Sequence, residues 1–78
     1  MKHFDFIIAD DSKHEQVFIE IYHDGKYIAL ISQENGIDNL LIEFPGNDLN
    51  ESEIIRTMPL NEFLNLIDQA VKKLTLEV

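Results

Sequence analysis

The chain predicts an α+β fold: a meandering antiparallel sheet of about five strands with one C-terminal helix packed on one face. Three features carry that expectation. Asp24-Gly25 separates two strand-like runs, short β-branched and aromatic segments recur up to Thr57, and the hydrophobic period lengthens from Leu60 onward.

Phe4, Phe6 and Ile8 alternate with Asp5, Ile7 and Ala9, which predicts a first strand over about 3–9. Asp10-Asp11-Ser12-Lys13 supplies turn residues that end it. A second strand is expected over about 16–22 and a third over about 27–32, both rich in β-branched and aromatic residues. Asp24 and Gly25 between them suit a two-residue hairpin loop, because both can adopt positive φ. That loop sets Tyr22 opposite Tyr27, Ile21 opposite Ile28 and Ile19 opposite Leu30. One face then carries Val17, Ile19, Ile21, Ile28 and Leu30 and is the expected core. The other carries Phe18, Glu20, Tyr22, Tyr27, Ala29 and Ile31.

A fourth strand is expected over about 40–44. An odd-length loop centred on Gly36 is expected, turning Leu40, Ile42 and Phe44 toward the core, because a two-residue Asn35-Gly36 turn would place Leu41 and Glu43 there, a poor fit. Pro45-Gly46-Asn47-Asp48 ends this strand, and a weaker fifth follows over about 53–57, beside either the fourth or the first. Leu60, Phe63, Leu64, Ile67, Ala70, Val71 and Leu74 then recur at steps of three and four, the stripe of an amphipathic helix over about 60–74. One helix covers one face. The second face, with Phe18, Tyr22, Tyr27, Ile31 and Leu41, is expected to stay partly exposed, as contact sites on small proteins do.

The 78 residues form a single domain, 1–78, and carry a net charge of −9 from fifteen acidic and six basic side chains. Small compact domains usually hold a charge of a few units, so a field this one-sided suits steering a basic partner, or simple solubility. Scattered lysines and arginines cannot displace counterions from DNA or RNA, nor hold an anionic membrane. No run approaches the length of a membrane span. The absence of cysteine, together with Asp5 where a signal peptide would need an apolar run, makes a cytoplasmic protein the expectation.

Catalytic chemistry finds little footing. His3, His23 and Asp24 converge at one end of the sheet if the first two strands pair, and such a set can hold zinc. No H-x-H, H-x-x-x-H or cysteine pair supports it, and histidines beside a hairpin turn are common, so no metal or cofactor is expected. Glu20 and Glu43 project from the tyrosine-bearing face, where a solvated role outweighs acid catalysis in so small a fold. Ser12, Ser32 and Ser52 lack a nucleophile elbow, and Gly25, Gly36 and Gly46 are isolated turn glycines. The chain reads as a binder and not as an enzyme.

Three segments carry a resemblance: Gly25-Lys26-Tyr27-Ile28-Ala29-Leu30-Ile31-Ser32-Gln33-Glu34, Leu41-Ile42-Glu43-Phe44-Pro45-Gly46 and Met58-Pro59-Leu60-Asn61-Glu62-Phe63. Together they resemble small acidic bacterial immunity proteins of contact-dependent inhibition and other polymorphic toxin systems. The resemblance runs from the second strand to the helix and rests on turn, strand and helix-entry residues. It implies a cytoplasmic antitoxin that binds one cognate toxin domain, commonly a nuclease, and blocks its active site or a neighbouring surface. It assigns no contact residue, because such proteins differ most where they meet their toxins.

From the residues themselves, the expected partner contacts are Phe18, Glu20, Tyr22, Tyr27 and Glu43, with Asp10, Asp11 and Asp24 at the periphery. Tyrosine offers interface area, a polar tip and little entropy loss, and surrounding acids orient a basic target. A cross-strand Tyr22–Tyr27 pair also stabilises a hairpin by itself. The alternative is a homo-oligomeric structural or regulatory module whose tyrosine-bearing face joins two copies.

Overall fold

A computed structural model of the chain describes residues 4–46 and 50–76. Four strands, β1 (Phe4–Ala9), β2 (Phe18–His23), β3 (Lys26–Ser32) and β4 (Leu41–Glu43), form one antiparallel sheet in chain order. A single 3₁₀ turn (Glu51–Glu53) and one helix, α1 (Leu60–Leu76), complete the α+β fold. The expected fifth strand over 53–57 is replaced by that turn and one isolated bridge. Ile54 pairs in parallel with Tyr27, and the Ile55 amide donates to the Tyr27 carbonyl at 2.9 Å. The segment therefore lies along β3, on the edge that β4 also uses further on.

The β2–β3 hairpin has the two-residue loop that Asp24-Gly25 predicts. Both residues take positive φ, 51° and 81°, and His23 faces Lys26. Tyr22 pairs with Tyr27 as expected, but Ile21 pairs with Ala29 and Ile19 with Ile31. A bulge at Ile28 inserts the extra residue. One inserted residue reverses the alternation beyond it, so Ala29 and Ile31 turn into the core and Leu30 turns out, contrary to the unbulged register. The packing favours this outcome, because Ile28, Ala29 and Ile31 all become buried.

β4 is shorter than expected, and Ile42 pairs with Ile31 while Leu41 pairs with Ser32. The connection from Gln33 to Leu40 is of even length, not odd. It contains two successive turns, Gly36 amide to Gln33 carbonyl and Asn39 amide to Gly36 carbonyl, with Gly36 at φ 90°. The even loop and the bulge each reverse the parity, and the reversals cancel. Ile42 thus shares the core face of Ile31, as the odd loop in an unbulged sheet would have had it.

The core joins Ile19, Ile21, Ile28, Ala29 and Ile31 to Leu66, Ala70 and Leu74 of α1. Phe4, Phe6, Ile8, Phe63, Ile67 and Val71 pack around it. The helix is rotated from its predicted stripe: Leu66 is buried, while Leu60 and Leu64 are 67% and 56% exposed. Positions 63, 66, 67, 70, 71 and 74 form a tighter seam than the predicted set, which Leu60 and Leu64 widened to one side. No helix among the described residues is long and apolar enough to cross a membrane.

Candidate partner-binding face

The face away from α1 is ordered in rows across the strands. Asp5, Tyr22 and Tyr27 form one row. Ile7, Glu20, Leu30 and Glu43 form the next. Ala9 opposite Phe18, and Ser32 opposite Leu41, lie beyond. Strict alternation in β2 places Phe18, Glu20 and Tyr22 on this side, because Ile19 and Ile21 point at the helix.

The Phe18 end is closed. The β1–β2 connection folds over it, and the His14 ring lies 4.6 Å from the Phe18 ring. Phe18 is only 3% exposed, so it serves packing and is withdrawn from the set of surface contacts that β-strand alternation predicted. Ile31, expected on this face, is buried on the other. His14 itself is held at both nitrogens: Nδ1 lies 2.8 Å from Asp11 and Nε2 2.9 Å from Glu43. Two carboxylate acceptors call for two N–H donors, so the arrangement favours the imidazolium form of the ring. Its pKa is raised, chiefly by Glu43 and then by Asp11, against the opposing effect of burial. The Glu43 and Asp11 carboxyls are lowered in turn, each first by its hydrogen bond to His14.

The sequence reading missed His14. Its signal was local: Asp11 Oδ1 also accepts the amides of Lys13 and His14, both at 2.9 Å, which folds the turn that carries the ring inward. The rest of the connection is tied to the β3–β4 loop. Glu34 accepts the Glu15 and Gln16 amides at 2.7 and 3.0 Å, and Gln33 Nε2 donates to the Val17 carbonyl at 2.8 Å. Ser32 Oγ is buried beneath without a well-formed hydrogen bond, near enough to Glu43 to help hold that carboxyl down.

The tyrosine end is open. An uncovered cleft of about 450 Å³ is lined by Glu20, Tyr22, Gly25, Tyr27, Glu53 and Ile54. The two tyrosine rings lie 5.5 Å apart, tilted by 58°, in the range of a favourable aromatic pair. Burial raises both phenols, with the Glu20 carboxylate as the next cause, and Tyr27 is pushed up to about 12. Both rings therefore stay neutral at any physiological pH. Glu53 reaches the cleft because Asn50 caps the 3₁₀ turn, accepting the Ser52 amide at 3.1 Å. Arg56 braces the same turn. Its Nε bonds both oxygens of Glu51 at 2.9 and 2.7 Å, and its other nitrogens reach the carbonyls of Pro45 and Gly46.

No protein-family model, curated protein or solved structure matches this chain.

The expected contacts thus separate into two groups. Glu20, Tyr22 and Tyr27 come together at the cleft, joined by Glu53, which sequence spacing did not reveal. Glu43 and Asp11 belong to the His14 clasp at the far end, with exposed Asp10 beside Asp11. Asp24 sits in the hairpin loop, its carboxylate 3.3 Å from His23 Nε2. The His23 ring stacks on Phe4 at 4.5 Å. The third member of the conceivable zinc set, His3, lies outside the described residues. Among those described, no group of three or more histidine, aspartate or glutamate side chains is arranged so that it could hold a metal ion.

Proposed function

We propose that this chain is an inhibitory binding protein of the immunity type: a cytoplasmic antitoxin that occludes one basic toxin domain, a nuclease foremost, at fixed stoichiometry. The observation that carries the reading is the open Tyr22–Tyr27 cleft, edged by Glu20 and Glu53 and, among the described residues, lined by no lysine or arginine, in a chain of net charge −9. Half-buried tyrosines provide anchoring area, and the acidic field would accelerate docking onto the basic groove that a nuclease needs for its own substrate. The resemblance to immunity proteins agrees with this. Co-expression tests it: the C-terminal domain encoded directly upstream should kill bacteria alone and spare them when this chain is present. A harmless fragment, or toxicity that persists, would remove the reading.

Self-association is the second reading, and a different surface favours it. A groove between β4 and α1, lined by Leu40, Leu41, Ile42, Phe63, Leu64 and Ile67 among others, is apolar. Exposed Phe44 and Leu60 extend the apolar surface nearby. Light scattering discriminates the two. A stable dimer that Leu64→Glu dissociates would favour a homo-oligomeric module, and a monomer would leave the inhibitor first.

A further inference from the structure

Glu20 and Glu43 stand in one row, separated by Leu30. Glu43 has an internal partner, the His14 ring, whose protonated form it favours. Glu20 has no such basic partner: its row neighbours are Ile7 and Leu30, and it forms no ion pair among the described residues. A half-buried glutamate in the middle of a strand, with aliphatic row neighbours and the Tyr22 hydroxyl as its polar neighbour but no cation, is a costly choice that strand propensity does not explain. Glu53 faces the same cleft from the 3₁₀ turn, so carboxylates approach from two elements while two neutral aromatic rings form the wall.

We infer that the cleft is a receptor for a guanidinium, an arginine side chain of the protein partner, with Tyr22 and Tyr27 as the aromatic wall and Glu20 and Glu53 as the counter-ions. The assignment deepens the inhibitor reading and rests on it for the identity of the partner as a basic protein. Arginine fits better than lysine because its planar, weakly hydrated head stacks on an aromatic face while its N–H groups bond carboxylates. The cleft's volume of about 450 Å³ accommodates one such side chain with room for water. In the filled cleft Glu20 would acquire a basic partner, as Glu43 has in His14.

The chain carries its own reporter. It has two tyrosines and no tryptophan, and both tyrosines line the cleft, so intrinsic emission reads this site alone. The full chain would be titrated with N-acetyl-arginine methylamide and, separately, with the citrulline counterpart, which is nearly isosteric and uncharged. The expected result is a saturable change in tyrosine emission with the arginine probe, at least about tenfold weaker with citrulline, as loss of a charge-assisted contact implies. Glu20→Gln and, independently, exposed Glu53→Gln should each weaken the arginine response several-fold, with circular dichroism confirming the fold of both variants.

Equal responses to the two probes, no saturable response, or full binding by both folded variants would overturn the assignment. The rescue experiment is separable from this one. Arginine binding without rescue would remove the inhibitor and keep the receptor; rescue without arginine binding would do the reverse.

Discussion

The two ends of the uncovered face are built from similar residues and have opposite characters. At one end an aromatic ring, Phe18, is buried beneath a histidine whose two carboxylate partners come from a loop and from β4. At the other, two aromatic rings stand open beside carboxylates with no lysine, arginine or histidine among the described lining residues. The difference lies in the connections. The β1–β2 connection is long enough to fold back over its end and is fastened there by Glu34 and Gln33. The β2–β3 connection is a two-residue turn that cannot reach over anything. A face left bare by a single helix is thus covered where the chain has slack and remains available where it does not. Charge balance follows the same division, because the covering loop brings its own basic side chain.

Removing an aromatic ring from each end is the strongest way to break this comparison. Phe18→Ala should lower stability by about 3–4 kcal/mol, a large share of what a domain this small possesses, because the ring is buried and its space cannot collapse fully. Urea unfolding would detect it, and an unchanged midpoint would mean the closed end does not hold the fold. Tyr27→Ala should produce the converse pattern. Its stability loss should be clearly smaller than that of Phe18→Ala, while partner affinity drops by about tenfold or more, as for an interface anchor. Calorimetric titration against the partner reads this, and wild-type affinity would exclude the tyrosine face.

A pH titration sharpens the contrast with a smaller effect. The His14 pKa is raised in the folded state, so its stabilisation is full below the ordinary histidine value near 6.5 and is lost as pH rises through the raised value. Asp11 and Glu43 are lowered, so their share is full above ordinary carboxylate values and is lost as pH falls through the lowered ones. The clasp should therefore hold best between about pH 5 and 6.5. Melting temperature should decline above that window in the wild type and decline less in His14→Gln. Parallel profiles for the two proteins would show that the clasp contributes nothing measurable.

The smallest effect is expected at Arg56, which is solvent-exposed. Arg56→Ala should leave the melting temperature nearly unchanged, since exposed ion pairs contribute little. It should speed amide exchange at Ile55, whose N–H bonds Tyr27, because the turn presenting Glu53 would lose its brace. Unchanged exchange there would show that Asn50 and the Ile54 bridge hold the turn unaided.

Local chemistry was legible wherever one or two residues decide a conformation. Asp24-Gly25 marked the hairpin and the Tyr22–Tyr27 pair because few dipeptides accept two positive φ values. The helix was legible from its period, although Leu66 was overlooked and Leu60 and Leu64 were overvalued, since a helix has several possible seams until the sheet selects one. The candidate site was legible in part. Glu20, Tyr22 and Tyr27 share a face by alternation, which needs only β2 and its turn. Glu53 and His14 were not legible, because each arrives from a connection whose path depends on distant anchors.

The amino-acid order by itself pointed to about five strands, four of which form, and to a helix, the site of the hairpin, and a strongly acidic chain with two tyrosines side by side. Those properties depend on backbone preference, periodicity and charge, all of which act within a few residues. Only the tertiary structure decided the bulge at Ile28, the rotation of α1, the fate of residues 53–57 and the division of the bare face into a closed end and an open one. Each of these is a competition between burying one apolar surface and another across the sheet. Residues near in sequence cannot settle it, because the free energy released belongs to the packed whole.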